Sequence, residues 1–159
     1  MSIKLVNIDD RLIHGQVATT WVKDYNIESI IIINDDAAND PIQKSIAGLA
    51  VPGIKVSLFE VDKFIEIIKK TEIKKVTMLL FANPIDALKI KKEAVDFEYL
   101  NVSGMRFKEG RTRIHKNMSI TAEEKKAFEE LLSIGTDVYM QTTTRDEKSN
   151  VAELLENYR

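Results

Sequence analysis

The sequence predicts an α/β protein in three layers: a mostly parallel central sheet of about six to seven strands with helices on both faces. Two observations carry that expectation. Short apolar runs rich in β-branched and aromatic residues recur along the 159 residues, with helical patterns between them, the alternation of βαβ units wound around one sheet. Residues suited to starting a helix stand just beyond several of these runs.

The elements follow in order. Ile3 to Ile8 is the first strand, and the helix after it should bury Val17, Trp21 and Tyr25. Ile30 to Ile33 is apolar throughout, as befits a strand covered on both faces, and is placed at the centre of the sheet. Asp40 before Pro41 marks a helix start, since the aspartate caps free N–H groups and proline lacks one. Ile54 to Phe59 is the third strand, with Asp62 as the cap of the next helix. Val76 to Phe81 is the fourth, followed by Asn83 before Pro84. Tyr99 to Val102 is the fifth, and Arg106 to His115 reads as a charged hairpin around Gly110. Thr121 and Glu124 form a capping box, and Val138 to Gln141 is a late strand. The last helix places Val151, Leu154, Leu155 and Tyr158 on one stripe facing the sheet. No repeat or flexible linker divides the chain, so residues 1–159 are expected to form one domain.

Composition narrows the function. Asp and Glu number 25 against 23 Lys and Arg, without the basic excess of a general nucleic-acid binder. Cysteine is absent, which removes disulfides, thiol nucleophiles and thiolate zinc sites. The N-terminus lacks a secretory pattern, and no segment nears the roughly 20 apolar residues of a membrane span. A cytoplasmic protein is therefore expected. There is no dinucleotide or P-loop glycine motif, and no cofactor or resident metal is expected.

In such sheets ligands bind beyond the carboxyl ends of the strands. After the first strand come Asp9, Asp10, Arg11, Leu12, Ile13, His14, Gly15 and Gln16. His14 lies at a helix start, where free N–H groups and a partial positive charge suit a phosphate. Arg11 adds a guanidinium fork, and Gly15 and Gln16 bring main-chain amides close. Asp9 or Asp10 can orient Arg11, or accept a proton from one imidazole nitrogen and leave the other nucleophilic. After later strands, Asp35 is divided between shaping the site and a structural role. Ser103 and Gly104 offer a hydroxyl and amides to a phosphate, or form a simple turn. His115, the other histidine, is assigned to a solvated edge.

The runs IDDRLIHGQV at Ile8 to Val17, then Trp21, NDDAAND at Asn34 to Asp40 and LNVSGM at Leu100 to Met105 resemble, in the same order, the IIB subunit of the mannose/fructose/sorbose type of bacterial sugar phosphotransferase system. The resemblance spans nearly the whole chain. Ser103 stands where the family pattern has glycine. The resemblance implies that His14 takes a phosphoryl group, through Nδ1, from a phosphohistidine of a IIA component. It then passes the group to a sugar in a IIC/IID membrane complex, with which the chain would associate peripherally. Arg11 would clamp the phosphate, and Asp9 matches a family active-site acid. Hexoses and N-acetylated amino sugars, N-acetylgalactosamine among them, are compatible cargoes, and a homodimer is compatible too. An open site is expected, because each partner must bring its own reacting atom to His14.

Two rival readings stand beside this. The Asp9–Asp10 pair suggests a receiver-like module phosphorylated on aspartate, but Phe59 and Glu60 occupy the end of the third strand, where such a module needs its acceptor. Clustered carboxylates also suggest a small Mg²⁺-dependent phosphatase, with Arg11 in their midst opposing the cation.

Overall fold

A computed structural model describes residues 2–159. Its strands are β1 (Ile3–Asp9), β2 (Ser29–Ile33), β3 (Lys55–Phe59), β4 (Thr77–Phe81), β5 (Tyr99–Gly104), β6 (Thr112–His115), β7 (Met118–Ile120), β8 (Asp137–Met140) and β9 (Ser149–Asn150). Its helices are α1 (Gly15–Asp24), α2 (Asp35–Ala38), α3 (Pro41–Ala47), α4 (Val61–Ile68), α5 (Pro84–Glu93), α6 (Ala122–Ser133) and α7 (Val151–Leu154). Seven strands form the main sheet in the order β3-β2-β4-β1-β5-β8-β9. Every pairing is parallel except that of β8 with β9. This is the three-layer α/β arrangement the sequence predicts.

Alternation along the strands divides the core between the two faces. Leu5, Ile30, Ile32, Met78 and Leu80 pack with Ala18, Trp21 and Val22 of α1 and Ala47 of α3. Val6, Ile8, Ile33, Leu79 and Phe81 face the other way, towards Phe64 and Ile65 of α4, Ile90 of α5, Phe128 of α6 and Val151 of α7. Each of the valine, leucine, isoleucine, methionine and phenylalanine side chains among them contributes about 1.5–3 kcal/mol on burial, so the two apolar layers hold the strand ends, and the loops on them, in fixed register.

The structure changes several details. β1, not the Ile30–Ile33 strand, holds the middle of the sheet; β2 is apolar because helices cover both its faces, not because it is central. The buried face of α1 is Ala18, Trp21 and Val22, with Val17 and Tyr25 only half-buried. Asp62 does not cap α4. Glu60 is the N-cap and makes no side-chain cap bond, while Asp35 accepts the Val61 N–H at 2.8 Å. The hairpin lies later than Gly110: β6 and β7 pair antiparallel around Lys116 and Asn117, and Gly110 (φ +91°) serves the turn before them. His115 sits at the tip, half-buried, its Nδ1 accepting the Asn117 N–H at 3.1 Å. Burial first, then Lys116, pushes its pKa down. Beyond Leu154 the last helix tightens to a 3-10 turn over Leu155–Asn157, so Val151 and Leu155 are buried while Leu154 and Tyr158 are half-buried.

One connection matters for the site. Met105, just beyond β5, accepts the Ser119 N–H at 2.8 Å and donates to the Asn117 carbonyl at 3.0 Å. These bonds seat the hairpin against the carboxyl end of the sheet, beside the loop that follows β1.

Candidate active site

At the end of β1 the chain turns sharply. The Leu12 N–H donates to the Asp9 carbonyl at 2.8 Å, and the Asp10 N–H to the Gly104 carbonyl at 3.1 Å. Leu12 adopts φ +59° and Gly15 φ +46°, left-handed values that cost an ordinary residue about 1 kcal/mol or more. A Cβ at Gly15 would meet open space, so glycine is favoured there by backbone angle and not by crowding. These turns bring His14 back over Asp9: the Nε2 atom lies 2.9 Å from Asp9 Oδ2. Asp9 Oδ1 accepts the Arg11 N–H at 3.0 Å. Burial holds the Asp9 carboxyl above its ordinary pKa and outweighs the opposing hydrogen bonds from Arg11 and His14.

With Asp9 accepting from Nε2–H, the lone pair of the neutral ring resides on Nδ1. His14 is itself the N-cap of α1, in an extended conformation, and its side chain makes no cap bond. Asn34, Asp40, Asn83, Thr121 and Asn150 do cap their helices. The first N–H groups of α1 therefore stay unsatisfied by side chains next to the imidazole, with the positive end of the helix dipole behind them. The His14 side chain is 29% exposed. It opens on a cavity of about 360 Å³ whose wall includes Arg11, Ser103, Met105, Arg106, Lys116 and Thr142.

Residues 3–159 match the model of the family described as PTS system sorbose subfamily IIB component. The chain belongs to this family. A sorbose-specific EIIB component of Lacticaseibacillus casei is 36% identical over 153 residues, covering 95% of this chain and 93% of that protein. The crystal structure of the IIBSor domain of the sorbose permease from Klebsiella pneumoniae superposes with a TM-score of 0.92 at 33% identity, covering 98% and 97% of the two chains. The mannose-specific EIIAB component of Escherichia coli K12 is 34% identical over 157 residues, which are 98% of this chain but 49% of that longer protein. As a sorbose-family IIB component of the phosphotransferase system, the chain takes part in phosphoryl transfer during sugar uptake. Among the described residues, no helix is long and apolar enough to cross a membrane.

In this IIB chain the sequence-selected residues separate into distinct environments. Asp9, Asp10, Arg11, His14, Ser103 and Gly104 line one cavity. Gly15 and Gln16 form the exposed first turn of α1. The Arg11 side chain is exposed, and neither aspartate orients its guanidinium; only its main-chain N–H meets Asp9. Asp10 is turned elsewhere. Its side chain, 3% exposed, binds Arg111 Nη1 at 2.9 Å, Arg106 Nε at 3.3 Å and the Arg106 N–H at 3.0 Å. Arg111 in turn grips both oxygens of the buried Glu124, at 3.2 and 3.1 Å. Asp35 is not part of the cavity wall and caps α4 instead. The Ser103 hydroxyl is spent in a buried network, with Asn7 Nδ2 at 2.8 Å and Asn7 Oδ1 at 3.0 Å. Asn101 donates to that same Asn7 oxygen at 2.9 Å.

Arg106, Lys116 and Thr142 escape a sequence reading of the site. The first two arrive from the hairpin and the turn before it. Thr142 follows β8, and its carbonyl accepts from Trp21 Nε1 at 2.9 Å, which ties the helix behind His14 to the opposite wall. No local motif announces such contacts between residues this far apart in the chain. The carboxylates do not converge on a cation either: Asp9 faces His14, Asp10 two arginines and Asp35 the Val61 amide.

Proposed function

We propose that His14 accepts a phosphoryl group from a phosphohistidine of a IIA component and passes it to a sugar held by the IIC/IID membrane complex. The observation that carries this reading is the 2.9 Å contact between Asp9 Oδ2 and His14 Nε2. It leaves the free lone pair on Nδ1 of a ring whose side chain lines an open cavity. In the first step Nδ1 attacks phosphorus, a new N–P bond forms, and the N–P bond of the donor breaks to release its imidazole. In the second, a sugar hydroxyl oxygen attacks phosphorus, the His14 N–P bond breaks, and the hydroxyl proton leaves for solvent or a base of the acceptor. The Asp9 carboxylate stabilises the positive ring formed while Nδ1 carries phosphorus and Nε2 keeps its proton. Asp9 thereby balances acceptance against release.

The remaining groups supply charge and position, which is most of what phosphoryl transfer asks of a protein. The Arg11 fork and the amides at Gly15 and Gln16, without side-chain partners among the described residues, meet the phosphoryl oxygens. An open cavity allows two successive partners to reach the same nitrogen. The IIA partner is supported by the Escherichia coli relative, whose name joins A and B components in one EIIAB chain. Residues 1–159 act as one domain at the cytoplasmic face of the permease. A receiver-like reading is disfavoured, because the Asp10 carboxylate is held by two arginines.

The test is incubation with phosphoenolpyruvate and the upstream carriers. Acid-labile, alkali-stable label that disappears in His14→Ala and persists in His115→Ala supports the assignment. Equal labelling of both variants contradicts it.

A further inference from the structure

The charged residues around Asp10 divide into a fixed arginine and a movable one. Arg111 is nearly enclosed, 8% exposed, and each of its three side-chain nitrogens is engaged, by Asp10, by both oxygens of Glu124 and by the Arg106 carbonyl at 2.8 Å. Arg106 differs. Its main chain is pinned, since its N–H donates to Asp10 Oδ2 at 3.0 Å. Its side chain is 51% exposed and touches Asp10 only through Nε, at 3.3 Å, the longest of the Asp10 contacts. Its two terminal nitrogens have no protein partner among the described residues. It also lines the cavity that holds His14 and Arg11, from the loop after β5, while Arg11 comes from the loop after β1.

We propose that Arg106 is a second clamp for the phosphoryl group, leaving Asp10 to bind the phosphoryl oxygens once His14 is charged; this rests on the reading of His14 given above. The exchange is physically favourable. A phosphoryl dianion carries more charge than a carboxylate and offers paired oxygens to a guanidinium fork. Asp10 loses little by it, because Arg111 Nη1 and the Arg106 amide remain at 2.9 and 3.0 Å. Arg106 forms and breaks no covalent bond and moves no proton. It adds positive charge from a second loop, so that the equatorial oxygens would meet a guanidinium from each of the two loops lining the cavity. In the uncharged protein Asp10 parks it within reach.

The test uses the full chain, charged by phosphoenolpyruvate and the upstream carriers. It compares Arg106→Gln and Arg106→Lys with a charge-matched control on a remote exposed helix end, Lys70→Gln. The readouts are the single-turnover transfer rate from the phosphorylated IIA component and the phosphorus-31 titration of the phosphohistidine. Arg106→Gln should keep its label on His14, slow transfer roughly tenfold, the scale of one lost hydrogen bond to a charged group, and raise the pKa of the phosphoryl group. Arg106→Lys should restore the titration in part, and the control should match the wild type. Asp10→Asn separates contact from positioning: it should leave the phosphoryl titration at or below its wild-type pKa. Label on His14 with rate and titration unchanged in Arg106→Gln overturns this proposal alone. So does an upward shift in Asp10→Asn equal to that of Arg106→Gln. Label on another residue of the wild type overturns the His14 reading and this one together.

Discussion

Replacing Asp9 by asparagine tests the site at its most constrained point. Asp9 has two oxygens and two obligations: Oδ1 accepts the Arg11 N–H at 3.0 Å and Oδ2 faces His14 Nε2 at 2.9 Å. Asparagine offers only one oxygen. The Arg11 amide can only donate, so the oxygen stays there and the new NH₂ turns towards Nε2. It can donate only to a bare nitrogen, which moves the ring proton to Nδ1 and removes the nucleophilic lone pair from the reacting position. A charge-assisted hydrogen bond is lost at the same time, worth about 1.5–3 kcal/mol. We expect single-turnover transfer from the IIA component to fall roughly 100-fold, which is about 2.7 kcal/mol at 1.36 kcal/mol per decade. Rapid quench gives the rate, and nitrogen-15 NMR of the His14 ring reports the tautomer. A rate within threefold of wild type, with the ring proton still on Nε2, refutes the reasoning.

The same substitution should stabilise the fold. Burial raises the Asp9 pKa above 3.8, so the folded state holds this proton more tightly than the unfolded chain, and stability falls as pH rises between the two values. Asparagine removes that penalty. The urea midpoint of Asp9→Asn should exceed that of wild type at pH 7, and the difference should fade as pH falls through the folded Asp9 pKa. Arg11→Lys keeps the charge and loses the fork; transfer should slow about tenfold. The thermal midpoint should hold, since the exposed guanidinium has no carboxylate partner among the described residues; unchanged transfer would refute the clamp. Arg111→Met should act on stability first, because it strips an enclosed partner from Asp10 and Glu124. A loss of about 3 kcal/mol by denaturant unfolding is expected, and a loss below 1 kcal/mol would mean that the network is not a structural tie.

Local chemistry made much of this molecule legible in its sequence. The positions of β1 to β5 and β8 followed from apolar runs, while β7 and β9 carried no such run, and the caps at Asp40, Asn83 and Thr121 stand where the residue types placed them. The run from Asp9 to His14 marked the loop that the fold carries to the crevice beyond β1. What stayed hidden was nonlocal. Asp35 caps a helix 26 residues away, so Asp62 had no cap left to make. Asp10 and Asp9 are adjacent, and nothing in their spacing tells which one meets histidine and which meets two arginines. The sharp turn at Leu12 decides it by swinging His14 back over Asp9 alone. Arg106 joined the site because Asp10 holds its main chain and Met105 before it pairs with the later hairpin, contacts without a sequence signal.

The most direct measurement is the position of phosphorus in the charged protein. Mass spectrometry of the phosphorylated chain, joined to phosphorus-31 and nitrogen-15 NMR, should find one phosphoryl group, on Nδ1 of His14, with the proton kept on Nε2 beside Asp9. Phosphorus on Nε2, or on any other side chain, contradicts the account.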